Sequence, residues 1–163
     1  MPIEATPGGP SSDSYCTLVE ADAYHSSRGH NAEWAAASEE ERERVLKWAT
    51  RVLDTHYRYL GARASAAQAL AWPRRGVVFD GATVSSTAIP SQLRWAVAEF
   101  AFRLLQEDWT AGLGPVVDEG VQVGPLKTSK ETHVAIPAEV AALVSPLVVP
   151  RLAGLGSFQV VRG

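Results

Sequence analysis

Two stretches of the chain repeat apolar residues at three- and four-residue spacing, and they set the expected architecture. Val45, Trp48, Ala49, Val52, Leu53, His56, Tyr57 and Leu60 line one side of a helical wheel. That spacing predicts a helix over 39–60, stopped by Gly61 and acting as the main beam of the core. Ser38 followed by Glu41 reads as a capping box, and Glu39, Glu40 and Glu41 place negative charge at the positive end of the helix dipole. Ile89-Pro90 opens the second stretch, with Pro90 at or next to the first helical position, where its missing N–H costs nothing. Leu93, Ala96, Val97, Phe100, Ala101, Leu104 and Leu105 form its buried stripe, and it is predicted to run to Trp109.

Shorter elements fill the intervals. Thr17 and Glu20 make another capping box, and Leu18, Ala21, Tyr24 and His25 share one face of a helix that ends near Arg28-Gly29. Residues 64–71 read as a short helix closed by Trp72-Pro73, because a residue before proline avoids the helical region. Asp80-Gly81, between Val77-Val78-Phe79 and Val84, predicts a tight turn or short hairpin. Residues 113–136 carry Val116, Val117, Val121, Val123, Leu126, Val134 and Ile136 around Gly124-Pro125, the pattern of a β-hairpin. Pro137 opens a last short helix through Val140, Ala141, Leu143, Val144 and Leu147, limited by Pro146 and Pro150. No internal repeat and no long heptad run is present. The fold expected is mainly α: a small helical bundle over 15–150 with a short β-hairpin insertion, flanked by an extended N-terminal tail over 1–14 and a C-terminal tail over 151–163.

Composition narrows the classes. The chain has 163 residues, 46% hydrophobic and 20% charged, enough for one domain with a real core. Lys and Arg number 15 against 18 Asp and Glu, a formal net charge of -3, which argues against a strongly basic nucleic-acid binder and leaves room for a local basic patch. Cys16 stands alone, so there is neither an intrachain disulfide nor a four-cysteine zinc site. No apolar run approaches the ~20 residues of a membrane helix, and the N-terminus lacks the basic-then-apolar order of a signal peptide. A membrane partner is therefore not expected.

Candidate chemistry is sparse. His25, His30, His56 and His133 stand in no metal-binding spacing, and His56 on the apolar stripe reads as a hydrogen-bonded core histidine. Cys16 sits just before a helix start, where a thiol is activated, yet a buried cysteine is the plainer account. Gly112-Leu113-Gly114-Pro115 lacks the lysine and hydroxyl of a phosphate loop. No cofactor and no enzymatic activity are expected. From Ser38 to Arg75 there are eight basic residues against five acidic ones. Arg44, Lys47, Arg51 and Arg58 follow one helix flank beside Trp48 and Tyr57, the mixture of cation and aromatic that a single-stranded DNA groove uses, with Arg44, Lys47 and Arg51 as the candidate contacts. The same residues also form the i,i+4 pairs Glu40–Arg44 and Glu43–Lys47, the ordinary pattern of a solvated face. Trp72-Pro73-Arg74-Arg75 is the most unusual local run. Trp72, Arg74 and Arg75 either fix the loop under the helices or serve as an interface anchor, since Trp and Arg are enriched at binding hot spots.

At this point the chain resembles a family. Ser14-Tyr15-Cys16-Thr17-Leu18-Val19-Glu20-Ala21-Asp22-Ala23-Tyr24 is similar to the opening of small bacteriophage head–tail adaptor (connector) proteins. Ala49-Thr50-Arg51-Val52-Leu53-Asp54, Gln68-Ala69-Leu70-Ala71-Trp72-Pro73-Arg74, Ile89-Pro90, Ala98-Glu99, Leu104-Leu105 and Val123-Gly124-Pro125-Leu126 follow in the same order, over residues 14–147. Some such sequences carry the label DnaT-like single-stranded DNA binding, the rival reading. The resemblance implies a mostly helical virion subunit at the capsid–tail junction, assembled in the host cytoplasm. It implies a homo-oligomeric ring of about twelve copies beneath the portal protein, joined to a stopper or tail-completion protein. Double-stranded DNA would pass through without sequence recognition, which suits a near-neutral chain, and the family pattern supplies no catalytic residues.

The tails complete the expectation: the Pro-, Gly- and Ser-rich N-terminal segment has no means of packing itself, and the apolar groups of both ends are expected to be covered by another chain. Leu152, Leu155, Phe158, Val160 and Val161 are too apolar for a solvated end, and Phe158-Gln159-Val160 alternates as a strand added to a sheet edge does. These residues are expected to dock on the portal or on a neighbouring subunit. The hairpin around Val123, Leu126, Lys127 and Lys130 is expected to meet the stopper or line the channel.

Overall fold

The computed structural model describes residues 1–110 and 136–150, and the backbone of 121–123 and 126–128. Helix α1 (Leu18–Ser27) starts at the Thr17–Glu20 capping box, both halves of which form. A five-residue helix, α2 (Ala32–Ala36), follows; it was not foreseen, because Asn31 gives no side-chain cap and Trp34 is its only buried residue. Helix α3 (Glu39–His56) begins at the Ser38–Glu41 capping box and ends at Tyr57, one turn earlier than the apolar pattern implied. Helix α4 (Ser91–Gln106) has Pro90 as its N-cap and stops before Glu107. Helix α5 (Ala138–Val144) runs into a 3-10 turn at Ser145–Leu147. The architecture is mainly α, as expected.

Among the described residues, three two-stranded antiparallel ladders accompany the helices: β1 (Ala62–Arg63) with β2 (Arg74–Arg75), β3 (Val78–Phe79) with β4 (Ala82–Thr83), and β5 (Val121–Val123) with β6 (Leu126–Thr128). The β3–β4 turn follows from its residues: Asp80 and Gly81 both take positive φ, 51° and 75°, as a twist-matched two-residue turn requires. Val123 pairs with Leu126 across Gly124-Pro125, which gives the hairpin predicted there.

Helix α4, not α3, is the central element. Residues Ala96 to Phe102 are buried in succession, so α4 is enclosed all round over nearly two turns. It packs against α3, α5, α1 and α2. The buried side of α3 is also rotated from the expected stripe. Leu46, Ala49, Thr50, Val52 and Leu53 face the core, while Trp48 is 37% exposed. Side-chain contacts fix the directions. Glu20 meets Arg94 and Arg28 meets Glu99, so α1 runs parallel to α4. Asp22 meets Arg42 and the Tyr15 N–H meets Thr50, so α3 runs antiparallel to α1.

Two expectations need correction. Residues 64–71 form no helix. The Gln68 amide holds Ser65 N–H and the carbonyls of Leu70 and Pro73, and Arg63 gathers the carbonyls of Gln68, Ala69 and Leu70. Those side chains take the backbone groups that a helical ladder would use. The N-terminal segment carries neither helix nor strand, but it packs on the domain instead of standing free. Ile3 lies against the core, Ser12 and Ser14 are buried, the Ala69 N–H donates to the Gly9 carbonyl, and Lys47 donates to the carbonyls of Met1 and Pro2. The premise that both tails lack a surface of their own therefore fails for this one.

Candidate interaction surfaces

The residues that carry the sequence signature meet at one buried junction. Tyr15, just ahead of α1, donates its hydroxyl to the Asp54 carboxylate on α3 and accepts the Trp72 N–H at 3.2 Å. Asp54 also accepts the Ala71 N–H at 2.9 Å. Burial raises the Asp54 carboxyl above its ordinary value, against the lowering effect of these hydrogen bonds. The Tyr59 hydroxyl is buried beside the same carboxylate without reaching hydrogen-bond geometry. Trp72 is 1% exposed, and its bond to Pro73 is cis. Arg74 turns inward and donates to the carbonyls of Leu60, Gly61 and Ala71. Trp72 and Arg74 are thus loop fixtures and not an exposed interface anchor; a tryptophan this deep has no face left for a partner. Arg75, paired with Ala62, is exposed.

The titratable groups with reactive side chains are locked. Cys16 is 1% exposed, and burial, with Glu20 nearby, pushes its thiol up to about 12. A thiol held protonated is a poor nucleophile. The His25 Nε2 lies 3.0 Å from the Ala98 carbonyl, so Nε2 carries the hydrogen, and Nδ1 faces no partner. Its ring stacks near Trp34, and burial lowers its pKa. Glu99, buried in α4, is gripped by Arg28 through Nε and Nη2 at 2.9 and 2.8 Å and accepts the Tyr24 hydroxyl. His56 is half-buried at the end of α3, edge-on to Tyr57. Among the described residues no group of three or more His, Cys, Asp or Glu is placed to hold a metal ion. No helix among them is long and apolar enough to cross a membrane.

The outer face of α3 separates the three proposed nucleic-acid contacts. Lys47 is withdrawn from it: its ammonium pairs with Asp13 at 3.0 Å and with the first two carbonyls of the chain, not with Glu43. Arg44 forms the expected pair with Glu40 at 3.2 Å, both side chains well exposed. Arg51 lays its guanidinium 5.8 Å from the Trp48 ring centroid. Arg58, read from sequence as part of the same helical flank, lies just past the helix and is exposed.

Elsewhere, a groove of about 540 Å³ lies between α1 and α4, lined by Ala21, Ala23, Tyr24, Arg94, Trp95 and Ala98, with Trp95 45% exposed. The described chain leaves through an antiparallel bridge, Tyr59 opposite Val148, with the Val149 N–H on the Arg58 carbonyl. The docking residues Leu152, Leu155, Phe158, Val160 and Val161, and Lys130 of the hairpin, lie outside the described residues. Val123, Leu126 and Lys127 are in β5 and β6, and only their backbone pairing is described.

The geometry defines a small helical domain whose sequence signature is spent on holding the fold together, with its free chemistry on the surface. The whole chain, residues 1–163, matches the family described as putative DnaT-like ssDNA binding protein, and it belongs to that family. No curated protein and no solved structure matches it significantly.

Proposed function

We propose that the protein is a structural subunit of a bacteriophage head–tail adaptor, forming a ring beneath the portal that links the capsid to the stopper or tail and lets DNA pass. The supporting observation is the junction at Tyr15. Two segments that resemble the adaptor pattern, 14–24 and 68–74, lie far apart in sequence, yet Tyr15 and Trp72 are directly hydrogen-bonded. The two runs that carry the resemblance thus belong to one interlocked unit. The locked state of Cys16 and His25 fits a role without catalysis. The test is electron microscopy of the full chain mixed with its cognate portal. Rings capping the portal are the expected result, and a subunit that remains monomeric and unbound beside the portal overturns the proposal.

A second reading is single-stranded DNA binding, favoured by the family description. It predicts oligonucleotide affinity that falls steeply with salt, because neutralised phosphates release counterions. Absence of binding to oligonucleotides at low salt removes it.

A further inference from the structure

We propose that the solvent face of α3, formed by Arg44, Trp48, Arg51 and Thr55 and extended by Arg58 just past the helix, is a contact strip for single-stranded nucleic acid. The inference rests on the second functional reading and gives it a site. Arg44, Trp48, Arg51 and Thr55 are spaced 4, 3 and 4 apart, the interval that keeps side chains on one side of a helix; Arg58 follows just beyond the Tyr57 cap, and all five are exposed. At 1.5 Å per residue its helical part, from Arg44 to Thr55, is roughly 16 Å long.

Its charge is one-signed. Arg51 and Arg58 form no ion pair through their side chains among the described residues, and Arg44 is held by one exposed carboxylate, Glu40. Exposed pairs of that kind are weak and exchange readily for another anion. The acids that would neutralise the strip are turned away from it. Asp54 points inward to Tyr15 and Ala71, and Asp13 is taken by Lys47. From Trp48 to Arg58 the chain carries one carboxylate, Asp54, and it is turned inward.

The indole decides which polyanion fits. Trp48 is 37% exposed in the middle of the strip, with the Arg51 guanidinium beside its ring. Unpaired bases stack on such a cation–aromatic platform. The outer surface of a duplex offers phosphates but no base face, so a duplex gains only the electrostatic part. An acidic protein segment would use the arginines and leave the indole idle.

The experiment is fluorescence anisotropy of labelled oligo-dT, oligo-U and a duplex of equal length against the full-length protein over a salt series. Three phosphate contacts on a single strand predict a log–log salt slope of about 2. Trp48→Ala is expected to weaken oligo-dT binding about tenfold with an unchanged slope. Arg51→Gln and Arg58→Gln are each expected to lower the slope by about 0.7. Comparable binding of oligo-dT and oligo-U identifies the shared single-strand chemistry; preference for one names the source. All the altered positions are exposed, and circular dichroism checks that each variant is folded. Wild-type binding that the three substitutions leave untouched overturns the site while the nucleic-acid reading survives. No binding of any oligonucleotide at 50 mM salt overturns both. Equal affinity for duplex and single strand, indifferent to Trp48→Ala, overturns the stacking role and with it the single-strand assignment.

Discussion

Replacing Tyr15 by Phe removes one oxygen from the junction of the N-terminal segment, α3 and the Trp72 loop. That oxygen donates to Asp54 and accepts the buried Trp72 N–H. Loss of a hydrogen bond to a carboxylate costs about 1.5–3 kcal/mol when the group is charged, and a buried N–H left without a partner costs about 1–3 kcal/mol. Because Asp54 keeps the Ala71 N–H, the two terms do not add in full, and the expected loss is about 3 kcal/mol. At about 2–4 °C per kcal/mol for a domain of this size, Tm should fall by roughly 6–12 °C. Tyr24→Phe is the control. It also removes a hydroxyl from a buried carboxylate, but Glu99 retains both Arg28 contacts. Its cost should stay below about 1 kcal/mol. Urea unfolding followed by far-ultraviolet circular dichroism measures both, with the slope m expected to be unchanged. A Tyr15→Phe loss within ~0.5 kcal/mol of zero, or no larger than that of Tyr24→Phe, would refute the account of the junction.

Other outcomes follow from the same structure. Stability should decline as pH falls from about 6.5, the unfolded histidine value, because His25 has a lowered folded pKa and its Nδ1 has no acceptor for the proton it would gain. Below the folded pKa that contribution is gone. Denaturation midpoints at pH 8, 6 and 5 test this, and His25→Phe should flatten the trend between them. Asp54 acts in the opposite sense, since its folded pKa is raised: ionising it lowers stability as pH rises from the usual aspartate range through the folded value. Asp54→Asn should remove that slope. Gly61→Ala should destabilise by at least ~2 kcal/mol, since φ is +69° and an added Cβ would sit 2.3 Å from the Arg75 carbonyl oxygen. Gly81→Ala, at φ +75° with nothing within 4 Å, should cost about 1 kcal/mol. Cys16 should resist maleimide in the native protein and react on unfolding; fast native labelling would reopen a nucleophilic role. Deleting 151–163 should leave the helices folded and abolish joining to the portal, and assembly that proceeds without the segment would sink the docking role given to its apolar residues.

The sequence alone determined the local elements. Capping boxes at Thr17–Glu20 and Ser38–Glu41 formed as written, because a cap is satisfied within four residues. The Asp80-Gly81 turn formed for the same local reason. The resemblance was legible too, as runs of residues that turn out to be structural fixtures. Tertiary structure decided which face of each helix is buried and where charges end up. A three- and four-residue spacing names a stripe only to within one position: Ala49, Val52 and Leu53 are buried as the pattern implied, but packing against α4 took Leu46 in place of Val45 and left Trp48 in solvent. Lys47 was expected beside Glu43, but Asp13, 34 residues away in the chain, claims it. Residues 64–71 had helical composition, yet Arg63 and Gln68 took their backbone groups. The N-terminal segment looked unable to pack because its partners, α3 and the loop before Trp72, are distant in sequence. Short-range hydrogen bonds can be read from order alone, whereas burial and charge pairing depend on which distant surfaces the chain brings together.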